Sequence, residues 1–122
     1  MPLTEKQKQH RKARRLWVKA LESGKFRHTT GLLQGQNNTF CCLGVACVVA
    51  EKEGVEVRQI KNQITGITLA DQPRVKDWLG LSDGAAEYID GSLVDPNDNA
   101  KRNPFKKIAK IIASEPEGLF VD

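Results

Sequence analysis

Apolar residues recur at helical spacing in several parts of the chain. The first stripe comprises Ala13, Leu16, Trp17, Ala20 and Leu21. Thr4 and Gln7 fit a capping box ahead of this stripe, and Gly24 is a natural stop, so we predict a first helix that ends after Ser23. The basic extension formed by residues 1–12 has little apolar surface to bury, and we expect it to project or fray.

A second stripe between Leu43 and Ala50, widened by three valines, predicts a buried helix that Gly54 ends. Because valine lowers helix propensity, burial must stabilise this helix. Gly44 in its first turn indicates a close approach by another backbone segment. A final helix is predicted after the N-cap residue Asn103. Its buried face comprises Phe105, Ile108, Ala109 and Ile112.

Between the helices the pattern is typical of short strands and turns. Residues 25–40 predict a β-hairpin, because strand-forming residues flank the turn sequence Gly35-Gln36-Asn37-Asn38. A short helix is predicted to open at Pro73, and residues 95–99 predict a turn. Further short strands are predicted over residues 55–58 and 88–94. The sequence therefore predicts a single α+β domain over residues 1–122, with three or four helices on a small antiparallel sheet.

All three cysteines lie in the run Phe40-Cys41-Cys42-Leu43-Gly44-Val45-Ala46-Cys47. Adjacent side chains diverge, and Cys42 and Cys47 are about 140° apart on a helix. This spacing fits neither a zinc site nor a redox pair, and neither His10 nor His28 forms a ligand pair with a cysteine. We predict buried structural thiols, with no metal, cofactor or catalytic residue. A small thiol-dependent or metal-dependent enzyme using Cys41, Cys42 or Cys47 is the alternative hypothesis.

Charge is distributed unevenly, and the net charge of +4 combines +7 over residues 1–28, −5 over 29–98 and +2 over 99–122. A positive patch of this kind attracts nucleic acid or an acidic protein surface. If the first and last helices lie side by side, their cations join into one phosphate-attracting stripe. The candidate binding residues are Lys8, Arg11, Lys12, Arg14, Arg15, Lys19, Arg27, His28, Lys101, Arg102, Lys106, Lys107 and Lys110.

Six motifs follow one another in a distinctive order. They are Leu21-Glu22-Ser23-Gly24-Lys25-Phe26, Gly31-x-Leu33, the cysteine run, Trp78-Leu79-Gly80-Leu81, Asn97-Asp98 and Phe105-x-x-Ile108-Ala109-x-x-Ile112. This order resembles a family of small uncharacterised proteins of tailed bacteriophages and prophages, over most of the chain between Leu16 and Ile112. The resemblance implies expression inside an infected bacterium and supplies no activity. Asn97 and Asp98 match the family pattern, and they either orient a ligand or fix the entry to the last helix.

These observations favour a non-catalytic phage accessory protein, used in host takeover or counter-defence, that binds a host macromolecule or signalling nucleotide through its basic surface. The expected partner is anionic: a host protein, a nucleic acid or a nucleotide. The longest apolar run is too short for a membrane helix, and no charged leader precedes an apolar stretch, so we expect a cytoplasmic protein without a membrane partner. The alternatives are a sequence-nonspecific nucleic-acid-binding protein and a structural virion component.

Overall fold

The computed structural model describes residues 2–100 and 102–122, which form an α+β domain as predicted. Within these residues there are five α-helices, rather than three or four, and seven strands of two residues each. The helices are α1 (Glu5–Glu22), α2 (Cys42–Lys52), α3 (Pro73–Leu79), α4 (Val94–Asn99) and α5 (Phe105–Ala113), with a 3₁₀ turn at Leu69–Asp71. The strands are β1 (Arg27–His28), β2 (Gln34–Gly35), β3 (Thr39–Phe40), β4 (Gln59–Ile60), β5 (Gln63–Ile64), β6 (Glu87–Tyr88) and β7 (Gly91–Ser92).

Helix α1 begins at the capping box that the sequence predicts. Thr4 Oγ1 accepts a hydrogen bond from the Gln7 amide at 3.1 Å, and Gln7 Oε1 accepts one from the Thr4 amide at 2.9 Å. The helix ends with Ser23 as its C-cap, and Gly24 follows with a φ of +74°. His10 is already buried in the second turn, so contacts with the rest of the domain begin before the apolar stripe.

The hairpin predicted over residues 25–40 forms only between residues 34 and 40. Strands β2 and β3 pair antiparallel across a turn in which Asn37 and Asn38 adopt φ values of 59° and 56°. Residues 30–33 bend instead of forming the predicted first strand, because Gly31 at φ +77° interrupts the extended chain. The short strand β1 pairs with β3 in parallel, with Arg27 opposite Thr39.

Two further hairpins, β4–β5 and β6–β7, are antiparallel, and the strand predicted at residues 55–58 lies instead at β4. Helix α4 replaces the turn predicted for residues 95–99. The Ser92 hydroxyl accepts the Asp95 amide at 3.1 Å, and the Asn99 side chain donates to the Asp95 carbonyl oxygen at 3.0 Å. These side chains satisfy backbone groups that a six-residue helix would otherwise leave open.

The core lies between α1, α2, α3 and α5. Trp17 of α1 is fully buried, and its Nε1 donates to the Cys42 carbonyl oxygen at 2.9 Å, which ties α1 to α2. Helix α5 lies along α1 in the opposite direction. Phe105 at its start contacts His28 beyond the end of α1, whereas Glu115 just after its end lies near Arg14 in the middle of α1. No helix among the described residues has the length and apolarity that crossing a bilayer demands.

Candidate anion-binding site

A cleft of about 360 Å³ lies between α1 and α5. Arg11, Arg15 and Lys19 line its α1 side, and their four-residue spacing places them on one face of that helix. The apolar part of the lining consists of Val18, Ile112 and Ala113. The remaining lining residues are Arg14, Glu22 and Glu115. The arrangement combines a row of cations with an aliphatic floor and two carboxylates.

The three cations of this row are exposed, and within the part of the chain that the structure describes none of them forms an ion pair. On α5, Lys106 and Lys110 precede Ala113 by seven and three residues, so they share its side of the helix. Neither lysine lines the cleft itself, so the cations that line it come from α1. Like charges along one helix face, without ion-pair partners among the described residues, favour an anion beside them.

Other predicted binding residues lie away from the cleft. Lys8 pairs with Glu5 at 3.4 Å, and Lys12 pairs with Glu53 at 3.8 Å. Lys8, Arg11, Lys12 and Arg15 recur at three- and four-residue spacing on α1, but only the two arginines line the cleft. The other exposed candidates that do not line it are Arg27, Arg102, Lys106, Lys107 and Lys110. Lys101 lies outside the described residues.

Arg14 lines the cleft, but it is buried, unlike the exposed cations beside it on α1. Its side chain is 7% exposed, and Nε donates to the Leu79 carbonyl oxygen at 2.8 Å while Nη2 donates to Gly80 and Asp122. The guanidinium also lies 3.7 Å from the centroid of the Phe120 ring. Arg14 shares the helical spacing of its exposed neighbours, but the carbonyl groups at the end of α3 draw it inward. The Arg14 side chain forms part of the wall of the cleft, and it connects α1 to the end of α3 and to residues 120–122.

Asp122 accepts a hydrogen bond from Arg14 Nη2, and its Oδ2 lies 2.9 Å from His10 Nδ1. Burial raises the pKa of Asp122, but the hydrogen bonds and charges of His10 and Arg14 outweigh burial and hold the pKa below its ordinary value of 3.8. Because the pKa of Asp122 is lower in the folded state, its ionised carboxylate stabilises the fold at pH values above 3.8. This stabilisation is lost as the pH falls through the folded-state pKa.

We therefore expect Asp122→Asn to lower the free energy of unfolding at pH 7 by about 1–3 kcal/mol, since an uncharged partner then faces the buried Arg14. The difference between wild type and variant should shrink as the pH falls below 3.8. Urea unfolding of both proteins between pH 7 and pH 2 measures it, with Asp90→Asn at an exposed position as the control. A difference that stays constant down to pH 2 would contradict the linkage.

His28 is also occupied structurally. Its Nε2 lies 2.6 Å from the Asn97 carbonyl oxygen, and its ring meets Phe105 edge-on with centroids 5.5 Å apart. His28 does not line the cleft, and its place in the binding surface stays a prediction. Asn97 is likewise structural, because it is 1% exposed and its side chain bonds the Cys42 amide and the Thr29 carbonyl.

The three cysteines pack in the core, with exposures of 5%, 1% and 0% for Cys41, Cys42 and Cys47. Cys41 Sγ accepts the Gly44 amide at 3.4 Å and so caps α2. Burial raises the pKa of all three thiols, that of Cys42 well above the ordinary value. Thiols in this state are neutral near pH 7, which makes them poor nucleophiles and poor metal ligands.

Sequence reasoning missed the residues that give the cleft its floor and its ends. The prediction that Ile112 belongs to the core is confirmed, since it is 2% exposed, but the pattern does not show that it also lines the cleft. Glu22 and Glu115 are isolated acidic residues that give no signal. Val18 was the available clue, because it is an apolar residue beside Trp17 that the buried stripe of α1 does not need. The structure leaves Val18 half-buried at the groove.

Residues 8–116 match a family described as a domain of unknown function, DUF8296. The matched range includes the cysteine run, the whole cation row and helix α5, whereas Asp122 lies beyond it. No curated protein and no solved structure matches the chain. Because the match covers most of its length, the chain belongs to the DUF8296 family.

Proposed function

We propose that the protein is a non-catalytic accessory protein of tailed bacteriophages or prophages that binds an anionic host partner in the infected cell. The observation that carries this proposal is the row of Arg11, Arg15 and Lys19, exposed along one cleft and without ion-pair partners among the described residues. The phage origin rests on the order of motifs in the sequence, with the cysteine run as its most specific part.

The physical basis is the mutual repulsion of the three cations, which a bound anion relieves. Arginine suits this role because its planar guanidinium donates two parallel hydrogen bonds to a phosphate or carboxylate. Since the cations are solvent-exposed, the attraction is screened by salt, and affinity should fall as ionic strength rises. The aliphatic floor adds contact area that is insensitive to salt.

The state of the other reactive groups supports binding rather than catalysis. The cysteines are buried and neutral, and His28 is held between a carbonyl group and an aromatic ring. The ionisable residues that line the cleft are arginines, one lysine and two glutamates. This set recognises charge, and neither the cysteines nor His28 contributes to its lining.

The experiment compares wild type with the triple variant Arg11→Gln, Arg15→Gln, Lys19→Gln. We expect wild type to retain an anionic component of host lysate, nucleic acid or a nucleotide at about 50 mM salt, and the variant to bind it at least ~10-fold more weakly. Nuclease-treated and untreated lysates separate nucleic acid from protein and small ligands.

The matched control is Arg27→Gln, Arg102→Gln, Lys107→Gln, which removes the same charge from exposed positions outside the cleft. Retention by this control supports a defined site. Equal loss in both variants would contradict the site, and the absence of any bound partner for wild type at low salt would overturn the proposal. Equal affinity for unrelated DNA and RNA sequences would instead establish the nonspecific nucleic-acid binder.

A further inference from the structure

We infer that the ligand of the α1–α5 cleft is a nucleotide, with its base on the aliphatic floor and its phosphates on Arg11, Arg15 and Lys19. This inference rests on the proposed function and narrows the anionic partner to one chemical class. It follows from the size of the cleft, from the order of charges along it and from the composition of its floor.

The size of the cleft fits a small molecule. Its volume of about 360 Å³ is within the range of roughly 300–1,000 Å³ that is usual for small-ligand sites. Arg11 and Lys19 are eight residues apart on α1, which corresponds to about 12 Å along the helix axis. Cations over this length can bind the phosphates of a nucleotide from the α1 side of the cleft, while its base covers the apolar part of the lining.

The order of charges disfavours a long polyanion. Glu22 follows Lys19 by one helical turn, and Glu115 lies 3.7 Å from Arg14 Nη1, near the middle of the row. A nucleic-acid strand running along the groove would bring its phosphates against these carboxylates, and such like-charge contacts are costly. A mononucleotide carries few phosphates and avoids most of these contacts. The same carboxylates accept hydrogen bonds from ribose hydroxyls or from an exocyclic amino group, which inorganic phosphate lacks.

The floor supplies a surface for a flat ring. Val18 is half-buried, Ile112 is 2% exposed, and the exposed Ala113 has too small a side chain to fill the space above it. A base lying on these aliphatic groups leaves the row of cations on α1 for the phosphates. Lys106 and Lys110 lie outside the lining, and they add positive charge to the Ala113 side of α5.

Titration calorimetry at about 50 mM salt tests the inference. The probes are adenine, guanine, cytosine and uracil nucleotides in monophosphate, triphosphate and cyclic forms, together with inorganic phosphate, inorganic triphosphate and a single-stranded DNA 20-mer. We expect at least one nucleotide to bind ~10-fold or more tightly than the inorganic anion of equal phosphate number, because only the nucleotide covers the floor.

The variant Ala113→Leu fills the floor without changing charge. It should weaken that nucleotide at least ~10-fold while inorganic triphosphate changes by less than ~3-fold. Ala100→Leu, at another exposed alanine outside the cleft, is the control, and Ala113→Gln repeats the test with a polar side chain. Thermal unfolding checks that each variant is folded.

The outcomes separate this inference from the proposed function. If DNA or a host protein binds through Arg11, Arg15 and Lys19 and no nucleotide exceeds the inorganic anions, the inference fails and the proposed function stands. If no anionic partner of any kind binds, both fail. Nucleotide binding that Ala113→Leu leaves unchanged would also overturn the inference, because the ligand would then lie elsewhere.

Discussion

Replacing Gly44 with alanine is expected to lower the free energy of unfolding by about 3–5 kcal/mol. A Cβ atom at this position would lie 1.8 Å from the Leu33 carbonyl oxygen and 2.7 Å from its carbonyl carbon. Both are backbone atoms, so no change of rotamer relieves the clash, and either α2 or the loop before β2 must move. The Leu33 carbonyl also accepts the Cys41 amide at 3.3 Å, and this bond would be strained by the same movement.

Urea unfolding at pH 7 measures the effect, with Gly54→Ala as the control. Gly54 has a φ of +86° but open space around its Cα, so the control loses only about 1–2 kcal/mol from its left-handed backbone. In the first turn of a helix, alanine would otherwise be more favourable than glycine by about 1 kcal/mol. A Gly44→Ala protein as stable as the control would contradict the contact between α2 and Leu33.

The second large effect is expected at Asn97, where exchange for aspartate should cost about 2–4 kcal/mol. The Asn97 side chain accepts the Cys42 amide at 2.9 Å and donates to the Thr29 carbonyl oxygen at 3.2 Å and to Asp98 Oδ1 at 2.9 Å. Aspartate keeps the acceptor but loses both donors, and its second oxygen then faces two other oxygens. Because the site is buried, water cannot relieve that repulsion.

The control is Asn103→Asp, which preserves the hydrogen bond that Asn103 Oδ1 accepts from the Phe105 amide at 2.9 Å. This exposed substitution should change stability by no more than about 0.5 kcal/mol. Thermal and urea unfolding at pH 7 compare the two. Equal small effects at both positions would show that the hydrogen bonds donated by the Asn97 amide to Thr29 and Asp98 do not stabilise the fold.

The ends of the longer helices could be predicted from sequence because their determinants are local. Thr4 and Gln7 form the capping box, Pro73 occupies the first turn of α3, and Gly80 after it adopts a φ of +71°. Helix α4 could not be predicted, since its sequence Val-Asp-Pro-Asn-Asp-Asn is typical of a turn. It is helical where Asn97 is held by partners 55 and 68 residues away in the chain.

The strands were poorly predicted for a different reason. Each has two residues, which is too short for the alternation of apolar and polar side chains to register in the sequence. β1 pairs in parallel with β3 across a bent segment, and local propensity carries no information about such a pairing.

For the candidate site, the sequence identified the cations but not their arrangement. The spacing of Arg11, Arg14 and Arg15 places all three near one side of α1, and only the position of the Leu79 and Gly80 carbonyls sends Arg14 inward. The floor of the cleft could not be predicted either. Packing over the whole core decides which face of α5 meets which face of α1.

Helix α1 carries its cation row on one side while His10, Trp17 and Leu21 are embedded in the domain on the other. The cation row therefore lies on a helix whose backbone is already ordered by packing. Binding of the proposed anionic partner would not have to order that backbone. Association then loses little conformational entropy in the protein. Encounter should be governed by long-range steering and its ionic-strength dependence, with the free and occupied protein sharing one backbone shape.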